Sequence, residues 1–522
     1  MTRVDRTSPH ERESPWPWWE RAGFALAVLG LSAFYLWTLG RPSLWLDEAW
    51  EANYYVGITD APWYNRPVLY MGIVRVLAAA FGHSELVLRL LPCAAGVAAV
   101  AGTYVLARGW LGRERAVLAA ALLSLAPPFL LAAHQLKHYT LDALSTVALL
   151  YAYERFRRGT GVRALWAYTA VAVVSFGLSF TSPFVVAAIA AIEVARRRGD
   201  LRGTAPFAVA TTVAAVAFMI LYATFYARGP ADSLLVEYFE TAYAPAATPM
   251  QLPSWLVGQT VDVLRELTGV SSGLVVLLLL AAGFGATARN ASSTLAAFLP
   301  VVASINVAAS ALRLYPYGVV RLSVYLAPVL CMLLAAGIGL LLPRDRRSWL
   351  SYVAVAAVLY ALFYPVVAGA RPYLGTGWRT EHIRDLVRTL AEERAHGEGL
   401  YVNEDAEPAF RFYWVKNGRR VEDEEIVWAG RLARDPGLHA PEIAELSERF
   451  EVLWALFSHI DPGELRALRA LLLERYECDR SVVEGDARLE RYRRTEKPPG
   501  PGTTQQPESY SESDSGTSGE GA

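Results

Sequence analysis

Apolar segments long enough to cross a bilayer recur along this chain from Ala22 to about Ala370, and that recurrence constrains the fold more than any other feature. A spanning helix needs roughly 20 mostly apolar residues. The candidate spans are 22–40, 86–107, 116–133, 139–154, 164–180, 183–195, 204–226, 270–287, 291–312, 320–342 and 349–369, of which 183–195 is short. That is about eleven spans, the pattern of a polytopic α-helical membrane protein. The first run ends in Trp37-Thr38-Leu39-Gly40-Arg41-Pro42. It lacks the small-residue site at which a signal peptide is cut, so it reads as an uncleaved first span.

Composition agrees. The chain is 54% hydrophobic and 19% charged, against about 45–50% and about 25% for soluble proteins. The charges gather between the apolar runs and after them. The formal net charge of -1 therefore averages unlike regions and gives no support to nucleic-acid binding. The cysteines, Cys93, Cys331 and Cys478, are too few for a disulfide framework.

Basic residues in short loops mark the cytoplasmic side. Arg108, Arg113 and Arg115 form one basic connection; Arg155, Arg157, Arg158 and Arg163 a second; Arg196, Arg197, Arg198 and Arg202 a third; Arg344, Arg346 and Arg347 a fourth. The alternate connections are poor in Lys and Arg for their length. The expectation is a cell (inner) membrane protein with a cytoplasmic N-terminal tail at 1–21, a membrane domain at 22–370 and an outer loop at 41–85. The region 371–495 is then extracytoplasmic. It reads as a small α/β domain, with a helix in 380–396, strands at 399–402 and 452–457, and a helix at 463–476. The tail 496–522 is too polar to fold alone.

Ionisable residues cluster at the outer ends of spans. Charge at membrane depth is costly and often marks a substrate site. The first cluster is Leu44-Trp45-Leu46-Asp47-Glu48-Ala49-Trp50-Glu51. Asp47 or Glu48 can act as a general base; equally, Asp47 can cap a helix running to about Tyr55. The second is Asn65-Arg66-Pro67, with Arg75, Glu85 and Arg89 following. Arg89 is suited to a phosphate, or to an i,i+4 pair with Glu85. The third is the turn His134-Gln135-Leu136-Lys137-His138-Tyr139-Thr140-Leu141-Asp142. Lys137 and His138 can hold a phosphate, with Asp142 orienting the ring or capping a helix. Two histidines and an aspartate leave a divalent cation open, although the spacing is no strong ligand motif. The fourth is Arg313-Leu314-Tyr315-Pro316-Tyr317-Gly318-Val319-Val320-Arg321. There Arg321 is a second phosphate candidate or an interfacial anchor. No P-loop, dinucleotide fingerprint, HExxH or nucleophile elbow stands at a credible place.

The order of these clusters resembles the GT-C superfamily of membrane glycosyltransferases, nearest the family-39-like group related to protein mannosyltransferases and lipid A aminoarabinose transferases. The resemblance rests on Asp47-Glu48 after the first span, Arg89-Leu90-Leu91-Pro92 near the second, Lys137-His138-Tyr139 before the fourth, and Tyr315-Pro316-Tyr317-Gly318-Val319-Val320-Arg321-Leu322. It covers about 22–370. The family's His-Pro-Pro-like element is Asn65-Arg66-Pro67 here, so no histidine role transfers to it. The resemblance implies inverting transfer of a sugar from a polyprenyl-phosphate donor to a glycan, lipid or protein acceptor on the outer face. By analogy Asp47 is the base and Glu48 a supporting or metal-binding carboxylate. Lys137 and Arg321 hold the donor phosphate, His138 or Arg89 assists, and Tyr139 and Asp142 complete the substrate-binding set.

The alternative of another class is a transporter or flippase of lipid-linked or anionic substrates. It calls for ionisable groups near the bilayer midplane and broken helices in repeated halves. The charges here gather at the outer ends instead. A non-catalytic scaffold would leave the four clusters unexplained.

Overall fold

The computed structural model describes residues 16–59, 66–159, 161–198, 200–227, 233–245, 248–270, 272–288, 293–341, 382–422, 425–429 and 439–495, with four isolated positions at 353, 360, 364 and 368. The chain divides into two compact units, Met1–His382 and Ile383–Ala522.

The first unit is a helical membrane domain. Helices coincide with every expected span from 22–40 to 320–342; the expected span 349–369 and the tail 496–522 lie outside the described residues. Among the described residues five helices are long and apolar enough to cross a bilayer, or up to seven if each bent pair forms one span. The weak candidate 183–195 is the helix Ser182–Arg196.

The expected single span 116–133 is broken instead. Arg113–Leu125 and Pro127–Ala133 meet at a 66° bend. The cause is Pro127-Pro128. A proline pushes the residue before it out of the helical region, and Ala126 is accordingly extended (φ -60°, ψ 117°). The prolines then start the next helix, where a missing N–H costs nothing. This short second helix ends at the polar turn 134–138.

His134 ties that turn down. Its Nδ1 lies 2.8 Å from the Leu130 carbonyl and its Nε2 2.7 Å from the Thr38 hydroxyl. A carbonyl only accepts, so Nδ1 carries the proton and Nε2 receives the Thr38 hydroxyl. Burial, the main cause, holds the ring's pKa at about 4, which keeps it neutral.

Between the first span, Trp18–Leu39, and the second, Glu85–Leu111, lie two shorter helices, Leu46–Tyr55 and Val68–Phe81. The first of these is the helix expected to begin at Asp47. Elsewhere the helices Gly273–Ala288 and Ala327–Leu341 pack backbone to backbone at two glycines. A Cβ on Gly283 would stand 2.0 Å from the Leu333 carbonyl oxygen, and one on Gly337 2.1 Å from that of Leu279. Small residues permit such close approach between membrane helices.

The second unit is a small α/β domain. Its sheet contains β1 (Gly399–Val402), β2 (Ile426–Trp428), β3 (Val452–Phe457), β4 (Tyr476–Glu484) and β5 (Ala487–Arg494), in the order β2-β1-β3-β5-β4. The pairs β1–β2 and β1–β3 are parallel, and β4 and β5 add an antiparallel hairpin. Helices Ile383–Glu393, Glu407–Lys416, His439–Arg449 and Pro462–Leu473 complete it. Tyr401, Leu453, Ala455 and Phe457 pack with Ile443, Leu446, Leu468 and Leu472 in one apolar core. The strands 399–402 and 452–457 fall where the short apolar runs put them. The hairpin was not expected, because its strands are rich in charge on the exposed side.

Replacing Gly283 by Ala should force the two membrane helices apart, at a cost of about 1–3 kcal/mol. Thermal unfolding in detergent should show a clear drop for this variant. Gly285→Ala, where a Cβ meets nothing within 4 Å, should melt like the parent.

Candidate active site

Three acids sit on the helix Leu46–Tyr55, and helical geometry divides them. Consecutive residues are about 100° apart around the axis, while i and i+4 share a face. Asp47 and Glu51 therefore look one way and Glu48 another.

Glu48 turns toward the second span, where it is buried and meets the equally buried Arg89. Arg89 Nε donates to Glu48 Oε1 at 2.8 Å and Arg89 Nη2 to Oε2 at 2.6 Å. The guanidinium's remaining donors go to the carbonyls of Leu39, Pro42 and Ser43, at 3.1, 2.8 and 2.8 Å. Glu48 also accepts the backbone N–H of Leu136. One ion pair thus fastens the end of the first span, the loop helix and the 134–138 turn to the second span. Arg89 thus has a partner in Glu48, 41 residues away.

Asp47 and Glu51 share the other face with Lys137. Lys137 Nζ donates to Glu51 Oε1 at 2.7 Å and to the Asp47 carbonyl at 3.1 Å, and it stands 3.8 Å from Asp47 Oδ2. Arg66 Nε reaches the same Glu51 oxygen at 2.6 Å, and the hydroxyls of Tyr55 and Tyr70 donate to Oε2 at 3.2 and 3.4 Å. Glu51 is thereby saturated. Burial, reinforced by Arg66, holds the Lys137 amine below the ordinary lysine range, while Glu51 and Asp47 pull it back. For Arg66 burial works against the charge, but Glu51, helped by Tyr139, Asp47 and Tyr55, more than offsets it and the pKa lies above its usual value.

Asp47 is the open member. Its side chain is 37% exposed, against 1% for those of Glu51 and Lys137. Arg321 Nη1 approaches Asp47 Oδ2 at 3.4 Å and is itself 35% exposed. The Arg321 guanidinium lies 5.4 Å from the Phe239 ring centroid and 5.8 Å from that of Tyr238. Residues 274 positions apart in the chain meet here.

His138 is also nearby but differently placed. It is packed among Tyr139, Phe180 and Tyr70, with ring centroids at 5.0, 5.4 and 6.0 Å. Burial first, then Arg66 and Lys137, hold its pKa well below the ordinary range. Its Nδ1 is buried with no hydrogen-bond partner among the described residues. Its Nε2 faces Asp142 Oδ2 at 3.7 Å, and Asp142 is buried at the start of the helix Tyr139–Arg158.

The structure therefore brings Asp47, Lys137 and Arg321 together, with Tyr139, His138 and Asp142 behind them. It leads Glu48 and Arg89 away into a pair of their own. Glu51, Arg66, Tyr238 and Phe239 had no assigned role in the sequence reading. For Glu51 the i+4 spacing from Asp47 was the available signal. Asn65 lies outside the described residues. The donors present do not make a metal centre: Glu48 is bidentate to Arg89, and among the described residues no three His, Cys, Asp or Glu side chains converge.

Comparison with known proteins bears on the same region. A family model described as dolichyl-phosphate-mannose-protein mannosyltransferase matches residues 65–222. No curated protein matches the chain by sequence. Among solved structures, ArnT from Cupriavidus metallidurans bound to undecaprenyl phosphate superposes with a TM-score of 0.56 at 12% identity, over 90% of this chain and 98% of that one. The archaeal oligosaccharyltransferase AglB from Archaeoglobus fulgidus, in complex with an inhibitory peptide and a dolichol-phosphate, gives 0.51 at 12% identity, over 88% of this chain and 73% of that one.

Removing one partner of a buried pair leaves the other charge unpaired and costs about 3–5 kcal/mol. Arg89→Ala and Glu48→Ala should each lower the denaturation midpoint by an amount of that order. The double replacement Glu48→Leu/Arg89→Met should recover much of the loss. Single variants as stable as the parent would show that the pair does not hold the loop.

Proposed function

Starting from the GT-C glycosyltransferase fold that this membrane protein shares with ArnT and AglB, we propose that it transfers a sugar from a polyprenyl-phosphate-linked donor to an acceptor hydroxyl. The observation that carries the reading is Asp47, a half-open carboxylate with Oδ2 between Arg321 at 3.4 Å and Lys137 at 3.8 Å. Its neighbours Glu48 and Glu51 are buried and fully engaged.

In this reading the acceptor oxygen attacks the anomeric carbon as the bond from that carbon to the donor phosphate oxygen breaks. Attack from the face opposite the leaving group inverts the centre. The acceptor's proton passes to Asp47, which acts as general base. The departing phosphate gains negative charge, and a fixed cation there stabilises the transition state more than the ground state. Arg321 is placed for that task, because its planar fork matches phosphate oxygens and it is open to solvent. Lys137, held on Glu51, braces Asp47 through its carbonyl and supplies a second positive charge to the same ground.

A lipid-linked donor suits this location. Its chain lies in the bilayer, so its phosphate waits at the ends of spans, where Lys137 and Arg321 stand. The basic loops support a reading in which this side faces away from the cytoplasm of a cell membrane, with the N-terminus inside. The acceptor is a glycan, a lipid or a protein reached from that side.

Asp47→Asn should lower transfer by about 10²–10⁴-fold while the purified protein melts as the parent does. Turnover can be followed with polyprenyl-phosphate-linked sugars as donors, and the product class by mass spectrometry of envelope lipids and glycans with and without the protein. Wild-type turnover by Asp47→Asn would sink the base assignment. Arg321→Ala should lower kcat, and an unchanged kcat with normal folding would move the phosphate elsewhere.

A further inference from the structure

A second, separate cavity lies within the membrane domain, and nothing in the proposed reaction uses it. It holds about 670 Å³ and lies between the helices Trp18–Leu39 and Arg113–Leu125, with Glu85–Leu111 beside both. Its walls are apolar: Phe24, Leu31 and Phe34 on one side, Val117 and Ala121 on the other. Along the first helix it runs from Trp19 to Phe34. At 1.5 Å per residue that is about 22 Å, longer than the roughly 15 Å that half of a hydrocarbon core provides. One full acyl chain fits within it.

The two ends differ. The far end is lined by Phe34, Leu31 and Ala121, with Ser124 its one hydroxyl among the lining residues. The near end is polar, at the basic connection 108–115. There Glu20 is neutralised internally by Arg108 at 2.6 Å and by the Tyr104 hydroxyl at 2.8 Å. Arg113 remains, stacked on Trp19 at 4.1 Å, with no ion pair among the described residues. An apolar cleft with one outward cation over an indole matches an anionic head group above a buried chain, and anionic lipids enrich the leaflet that basic loops face.

We propose that this cleft binds an anionic phospholipid of the leaflet facing the basic loops, its chain against Gly23, Ala27 and Gly30 and its phosphate on Arg113. Gly23 and Gly30 make the space: a Cβ on either would meet nothing within 4 Å. A larger side chain there fills the cleft without striking the protein.

Native mass spectrometry of the full-length protein, delipidated and titrated with phosphatidylglycerol or phosphatidylethanolamine, tests this. The parent should retain phosphatidylglycerol about fivefold better. Arg113→Ala should erase the preference. Gly23→Leu/Gly30→Leu should abolish retention of both lipids, as should Val117→Trp from the opposite wall. Thermal unfolding checks that each variant folds, and two independent walls keep the test informative if one variant does not. Equal retention of both lipids by the parent or unchanged retention in the filled variants would overturn the proposal. So would displacement of phosphatidylglycerol by undecaprenyl phosphate at equimolar amounts.

Discussion

The arrangement of the candidate site depends on the buried ion pair between Glu48 and Arg89. A charge taken out of water costs several kcal/mol and is tolerated only when its partner and its remaining hydrogen-bond donors are all satisfied. Here they are, since Arg89 gives its donors to one carboxylate and three carbonyls. Those carbonyls belong to Leu39, Pro42 and Ser43, where the chain leaves the first span. Satisfying one guanidinium therefore fixes where the loop helix begins and how it is rotated. With Glu48 turned toward the second span, the 100° step of the helix points Asp47 along a different face.

That rotation separates two kinds of charge. Glu51 and Lys137 are buried and mutually saturated, and Arg66 closes the set. Asp47 and Arg321 are about one-third exposed and meet at a longer distance, 3.4 Å. A saturated buried network is rigid, because any displacement strands a charge. A carboxylate about one-third exposed can be reached by a substrate. The same short segment thus supplies the brace and the reactive group, and the brace is one helical turn from the group it holds.

Much of this was legible in the sequence. Hydropathy alone located the helices from 22–40 to 320–342, because lipid demands long apolar runs whatever the tertiary packing. The order of Asp47, Lys137 and Arg321 along the chain carried the resemblance to GT-C glycosyltransferases. What sequence could not show was partner choice. Glu48, 41 residues from Arg89, is a partner that no local spacing points to. For His138 the local pattern does not show burial, which pushes its pKa well below the ordinary range. The break at Ala126 was readable from Pro127-Pro128 but was masked by the uniform hydropathy of 116–133. In the C-terminal unit the hairpin 476–494 was hidden by its exposed charges.

The break matters beyond its own helix. A straight span would carry its second half along its axis, whereas the 66° turn sends Pro127–Ala133 aside. The chain leaving that short helix forms the 134–138 turn, and three contacts of different kinds hold it. His134 bonds the first span through Thr38, the Leu136 N–H meets Glu48, and Lys137 reaches Glu51. Each contact joins the turn to a part of the chain set by another constraint: the first span by the bilayer, Glu48 by Arg89, Glu51 by the helix that Glu48 orients. Lys137 is buried as an amine against a carboxylate partner, Glu51. The proline pair, the ion pair and the lysine are therefore steps of one construction, and Asp47 is the carboxylate that construction leaves open.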